Sequence, residues 1–241
     1  MNILVVNDDS IYAPGIHILA QAAAQLGKVW VVAPAQQCSA MSHKVSIGGF
    51  LQVEKVTDFP VVVEGAYKLD GSPADCVKVA MHYLLEEKPD FVFSGINSGY
   101  NVGYEIAYSG TMAAAMEALM YGVPAIAFSS ANNAPMTIAK NYIQEIATDL
   151  LTKKHTLTEV WNVNFPATET DVPQGILYNR TVAPAWLYNT DYRKAKAIDG
   201  CVGLEIHGIP MTTAETAPEG SDLEAVLKGY ISVGKVRSIM L

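Results

Sequence analysis

"MNILVVNDDSIYAPGIHILAQAAAQLG", residues 1–27, carries the fold in miniature, and the rest of the chain is read outward from it. Residues 2–6 are apolar without alternation, the pattern of a strand buried on both faces rather than one with a wet side. After a polar turn, Pro14 lies near the start of a segment whose apolar residues recur at helical spacing, and Gly27 supplies a stop. The turn between strand and helix is Asn7-Asp8-Asp9-Ser10. It brings two adjacent carboxylates to the end of a buried strand, where they repel each other and resist desolvation. Something nearby has to offset that cost.

The same strand–helix order recurs. "KVWVVAPA" (28–35), "DFVFSGIN" (90–97) and "PAIAFSS" (124–130) read as strands, and "VWNVNFPA" (160–167) as a last one. Helices are expected over "SPADCVKVAMHYLLEEKPD" (72–90), opened by Ser72 and Pro73, over "SGTMAAAMEALMYGV" (109–123), also serine-capped, and over residues 136–154. Such alternation predicts an α/β fold, a Rossmann-like parallel sheet with helices on both faces. Residues 43–56 and 61–71 read as hairpin material inserted between layers. Beyond about residue 166 the chain turns aromatic and irregular. Residues 181–210 read as β-hairpins or an arm, and 221–233 as a short helix and strand. The expected division is therefore an α/β core over 1–166 and a smaller C-terminal β-hairpin region over 167–241.

Composition excludes several classes. Half of the 241 residues are hydrophobic, 17% are charged and the net charge is -8, so a broad basic footprint for a nucleic-acid polymer is absent. Three cysteines without paired spacing argue against a disulfide framework and a thiolate zinc site. No apolar run approaches the ~18–20 residues of a membrane helix, and acidic residues follow the first apolar run at once, unlike a secretory leader. A cytoplasmic protein is expected.

In parallel sheets ligands bind beyond the carboxyl ends of the strands. The polar residues expected there are Asn7 to Ser10, Ser39 and His43 after the second strand, the loop "SGINSGYNVGYEIAYSGT" (94–111), and Ser129, Ser130, Asn132 and Asn133. The Asp8-Asp9 pair suits a hard divalent cation, which would neutralise the mutual repulsion. Gly95, Gly99, Gly103 and Gly110 punctuate the long loop, which enters a helix at Ser109-Gly110-Thr111. A helix start with free N–H donors suits a phosphate. Asn97 and Asn101 offer amide oxygens to a metal or amide donors to phosphate. The loop is neither a P-loop nor a dinucleotide fingerprint. His17 and His82 read as helical packing residues, Cys38 as a small buried residue, "MAAAMEALM" as core, and Glu117 as facing solvent or capping a neighbouring loop.

Taken together, "NILVVNDDSIYAPGI", the Ser39 loop, "DGSPADCV", "SGINSGYNVGYEIAYSGTMAAAMEA", "VPAIAFS" and "NVNFP" resemble the SurE (survival protein E) family of 5'/3'-nucleotidases. The resemblance implies a Rossmann-like core with a C-terminal β region used in oligomerisation, as a homodimer or homotetramer. It implies a divalent-metal-dependent phosphomonoesterase acting on nucleoside 5'- and 3'-monophosphates, with exopolyphosphatase activity in some members, and one Mg2+ or Mn2+ ion as cofactor. By position, the metal ligands would be Asp8, Asp9, Ser39 and Asn97, with Asp8 and Asp9 catalytic. The phosphate surroundings would be Asn101, Ser109, Gly110 and Thr111. The chain departs from the family pattern at Ser10 and Ala40, where glycine is usual, at Glu105, where aspartate is common, around Trp186 and in the tail "SVGKVRSIML". The rival expectations are a nucleotide- or phosphate-binding protein without turnover, and a metal-dependent glycosyltransferase. The latter class spaces its carboxylates by one residue, which adjacent aspartates do not match.

Overall fold

A computed structural model describes residues 1–132, 134–197 and 200–238. In chain order its elements are β1 (Asn2–Val6), α1 (Pro14–Ala24), β2 (Lys28–Pro34), β3 (Val53–Lys55), β4 (Gly65–Leu69), α2 (Pro73–Val79), β5 (Phe91–Ser98), α3 (Gly110–Met120), β6 (Ala125–Ser130), α4 (Thr137–Thr152), β7 (Glu159–Phe165), β8 (Ile176–Arg180), β9 (Tyr188–Lys194), β10 (Leu204–Pro210), α5 (Asp222–Leu227) and β11 (Ile231–Arg237). Nine strands form one sheet in the order β3-β4-β2-β1-β5-β6-β7-β11-β8, while β9 and β10 form a separate antiparallel ribbon. From β4 to β7 every pairing is parallel; β3 and β11 run antiparallel to β4 and β7.

The unbroken apolar run of β1 has a direct cause. Ile3 and Val5 pack in one core with Ile16 and Leu19 of α1 and Ile143 and Ile146 of α4. Leu4 and Val6 pack in another with Cys76 and Val77 of α2 and Met112 and Ala115 of α3. Each side chain faces a helical layer whichever way it points, so no position tolerates a polar residue, and each such burial contributes roughly 1.5–3 kcal/mol. The predicted α/β sheet with helices on both faces is what the chain forms.

Local signals act where expected. Ser72 accepts from the Asp75 N–H and Asp75 reciprocates on the Ser72 N–H, a capping box with Pro73 at the first turn. The helix that follows is shorter than predicted. Its α-helical part stops at Val79 and widens into one π-helical turn over Ala80–Leu84, closed by the Leu85 N–H donating to the Ala80 carbonyl. The inserted hairpin is β3 against β4, and β4 also joins β2 in parallel, so the insertion forms one edge of the sheet.

Sheet pairing crosses the boundary expected after residue 166. β11 lies between β7 and β8, so the last strand is an interior one. Among the described residues of the C-terminal region, only the β9–β10 arm stands apart from the main sheet, with its residues mostly exposed.

Candidate functional site

Alternation along β1 continues into the turn and aims the two aspartates apart. Asp8 follows the parity of Leu4 and Val6 and meets α3: the Thr111 hydroxyl donates to its Oδ1 at 2.6 Å and the Thr111 N–H to its Oδ2 at 3.2 Å. Asp9 follows the parity of Ile3 and Val5. Its Oδ2 accepts from the Ser98 N–H at the end of β5 at 2.7 Å, and its Oδ1 from the Gln37 amide at 3.3 Å. Among the described residues neither carboxylate has a lysine or arginine ion-pair partner.

Asp8 is almost fully buried. Burial pushes its pKa from 3.8 up to about 6; the Thr111 hydroxyl bond opposes the rise, and the charge of Asp9 adds to it. The start of α3 approaches so closely that a Cβ on Gly110 would lie 2.9 Å from the Asp8 Cβ and 3.0 Å from its Oδ2. Only glycine fits between this helix end and the carboxylate.

The loop that carries Ser39 is held at several points. The Cys38 N–H donates to the Asp8 carbonyl at 2.7 Å, and the Ser42 N–H and hydroxyl donate to the Tyr108 and Ala107 carbonyls. His43 pairs with buried Glu117 of α3 at 2.7 Å, and Ser46 donates twice to Asp75. Ser39 itself is exposed. Glu117 thus caps a neighbouring loop, one of the two readings open from sequence, and His43 anchors that loop. His17 packs against Phe59 and contacts the Ile11 carbonyl, and the exposed His82 contacts Tyr121.

Asn97 donates from Nδ2 to the Gly99 carbonyl at 2.8 Å, which leaves its amide oxygen available at the end of β5 beside the Ser98 N–H that holds Asp9. The expected phosphate donors are largely engaged elsewhere. The Asn101 amide donates to Ser129 Oγ at 2.8 Å, while its backbone joins Asn162 and Asn164 of β7 in a buried amide network. Ser109 Oγ accepts from the Met112 N–H as the helix cap. Thr111 is committed to Asp8. The positive end of α3 therefore acts first on a carboxylate of this chain. Asn132 approaches the Ser98 hydroxyl at 3.4 Å, and Asn133 lies outside the described residues.

Sequence reasoning missed several parts of this arrangement. Asn162 and Asn164, polar at every second position of an apolar strand, did signal an inward polar stripe. The contacts of Asp222, whose carboxylate accepts from the Gly103, Ala183 and Leu223 N–H groups, join residues far apart in the chain and left no local signal. Both sites where the family pattern has glycine carry positive φ here: 92° at Ser10 and 55° at Ala40. A residue with a side chain holds a conformation that favours glycine at each.

A divalent cation is a chemical fit for these residues. The donor set offers two carboxylates of uncompensated charge, the free amide oxygen of Asn97 and the exposed hydroxyl of Ser39. Among the described residues no group of three or more His, Cys, Asp or Glu could hold a metal, so the remaining donors would be neutral oxygens.

Comparisons with known proteins agree in one family. The model for "Survival protein SurE" matches residues 3–187. The 5'-nucleotidase SurE of Cytophaga hutchinsonii is 42% identical over 235 residues, covering 96% of this chain and 88% of that protein. The 5'-nucleotidase SurE 1 of Thermus thermophilus is 37% identical over 239 residues, covering 98% and 91%. The crystal structure of the SurE protein from Aquifex aeolicus superposes with a TM-score of 0.82 at 34% identity, covering 98% of this chain and 93% of that one. With its sheet order, its paired aspartates and a family match over most of its length, this chain belongs to the SurE family.

Proposed function

We propose that the chain is a divalent-metal-dependent 5'-nucleotidase, a phosphoric monoester hydrolase. The observation that carries the reading is the Asp8-Asp9 pair, whose two carboxylates are held in fixed orientations at the carboxyl end of the sheet without an ion-pair partner among the described residues. The curated relatives named 5'-nucleotidase SurE support the substrate class.

Asp8, Asp9, Asn97 and Ser39 would hold the ion. When bound, it supplies positive charge to a phosphoryl oxygen and makes a water more acidic. The residues divide the remaining work. Asp8 is a fixed anchor, its oxygens clamped by Thr111 and its position set by the Gly110 contact. Asp9 faces the open side, and its Ser98 and Gln37 bonds orient it to accept a proton from the attacking water. The field of the α3 N-terminus favours the negative charge that builds on the phosphoryl group. We read the exposed apolar residues of the arm, among them Tyr192, Leu204 and Ile206, as a homo-oligomer contact. The composition supports placement in the cytoplasm.

The test is inorganic phosphate release from nucleoside 5'-monophosphates with Mg2+ or Mn2+, with 3'-monophosphates and polyphosphate assayed beside them. Asp8→Asn and Asp9→Asn should each lower turnover about a hundredfold or more while the fold persists by circular dichroism. Full turnover in either variant would sink the assignment.

A further inference from the structure

Helix α3 reaches both sides of the candidate cation site. At its start Gly110 and Thr111 fix Asp8. Six residues further on, about 9 Å along the axis, Glu117 reaches back to the loop that carries Ser39. We propose that His43 and Glu117 are positioning residues: their contact sets the Ser39 hydroxyl relative to Asp8, and so governs cation affinity although neither residue touches the ion. The inference rests on the cation reading above and adds to it the groups that act through Ser39.

The Ser39 loop does not hold its shape unaided. Ala40 and Ser42 stand at φ of 55° and 52°, a left-handed conformation that residues with side chains disfavour. Residues 39–42 are all exposed, so no burial in the core offsets that strain. A serine hydroxyl is a neutral ligand. On a freely moving loop, much of what it gains from the ion would go to ordering the chain. External ties have to do the holding.

The contact between His43 and Glu117 is the tie best suited to that task. His43 follows Ser39 by four residues, and its Nε2 lies 2.7 Å from Glu117 Oε2. The Glu117 side chain is only 4% exposed, and its other oxygen stands 3.6 Å from Lys78 Nζ on α2. A hydrogen bond to a buried carboxylate is stronger than one between neutral groups, and water competes little for it. The partner is also immobile, because Glu117 sits in a helix whose next residues, Ala118 and Leu119, are buried in the core. By contrast, Ser42 bonds the carbonyls of Ala107 and Tyr108, which lie in an exposed turn. One rigid helix thus serves as the common reference for Asp8 and Ser39.

The experiment is a double-mutant cycle on Mn2+ affinity, read by electron paramagnetic resonance of the free ion and so independent of turnover. Ser39→Ala and His43→Ala should each weaken binding about tenfold. Because His43 acts through Ser39, the double variant should also lose about tenfold, rather than the roughly hundredfold of independent effects. Glu117→Gln, which still accepts from His43, should stay within about threefold of the parent, and Glu117→Leu should match His43→Ala. His43 is partly exposed, so His43→Ala leaves the core in place, and circular dichroism checks the fold of each variant. Losses that multiply in the cycle, or an unchanged affinity in His43→Ala, overturn the positioning role while the cation reading stands. A parent protein that binds no Mn2+ overturns both.

Discussion

The two faces of the sheet meet the same carboxylate pair in opposite ways. On the α3 side the polar groups turn inward: Thr111 onto Asp8, Ser109 onto its own helix, His43 onto Glu117 and Asn101 onto Asn162 and Asn164. On the side of α1 and α4, Asp9, Gln37, Lys140 and Asn141 line open space. One face spends its hydrogen-bonding capacity on holding geometry, and the other keeps it for a ligand. Buried polar groups need partners, so a site that must be both rigid and receptive divides the two tasks between faces.

The sharpest way to break that contrast is pH. In chelated protein the folded-state pKa of Asp8, about 6, lies above its ordinary 3.8. The folded state therefore binds this proton more tightly than the unfolded chain does. The contribution of Asp8 is fully present below pH 3.8 and is lost as pH rises through 6. Between pH 4 and 7 the stability of the parent relative to Asp8→Asn should fall by about 2 kcal/mol, read by urea denaturation at each pH. Saturating Mn2+ should cancel most of that fall. Parallel profiles for the two proteins would refute the buried, uncompensated charge.

Gly110→Ala probes the same face by crowding. A methyl group there would meet Asp8 and Pro73 Cγ, at 3.1 Å from the latter, so carboxylate or helix end must shift. A loss of about 2 kcal/mol in stability is expected, with at least a tenfold fall in metal-dependent turnover. An unaltered Tm would show that the helix end yields freely. Ser10→Gly should have the smallest effect. Relief of the 92° φ at this residue is partly offset by a more flexible unfolded chain, for a net gain of up to about 1 kcal/mol by thermal denaturation.

What was legible in the sequence follows from the same division. The sheet and its layers could be read because β1, β5 and β6 are apolar on both faces and their helices carry caps and stops at Ser72, Ser109 and Gly27. The carboxylate pair could be read because adjacent aspartates at a strand end are costly. The partner of Thr111 was not legible: a helix start in a glycine-rich loop signals an anion, and nothing local says that Asp8 of the same chain accepts from it. Lys140 and Asn141 look like ordinary solvated helix positions. Their place beside Asp9 depends on how α1 and α4 pack, which spacing along either helix does not encode. Asp222 was invisible for a similar reason, since it acts 119 residues away from Gly103.

That last contact bears on how the protein is made. The glycine-rich loop is tied at Gly103 by the first residue of α5, and β11 must slide between β7 and β8 to complete the sheet. A nascent chain that has emerged only as far as β10 already holds both aspartates, Ser39 and Asn97, yet lacks the staple on the loop that leads into α3. Assembly of the loop and sheet therefore waits on residues 222–237. Until residues 222–237 are free to dock, β7 keeps an open sheet edge.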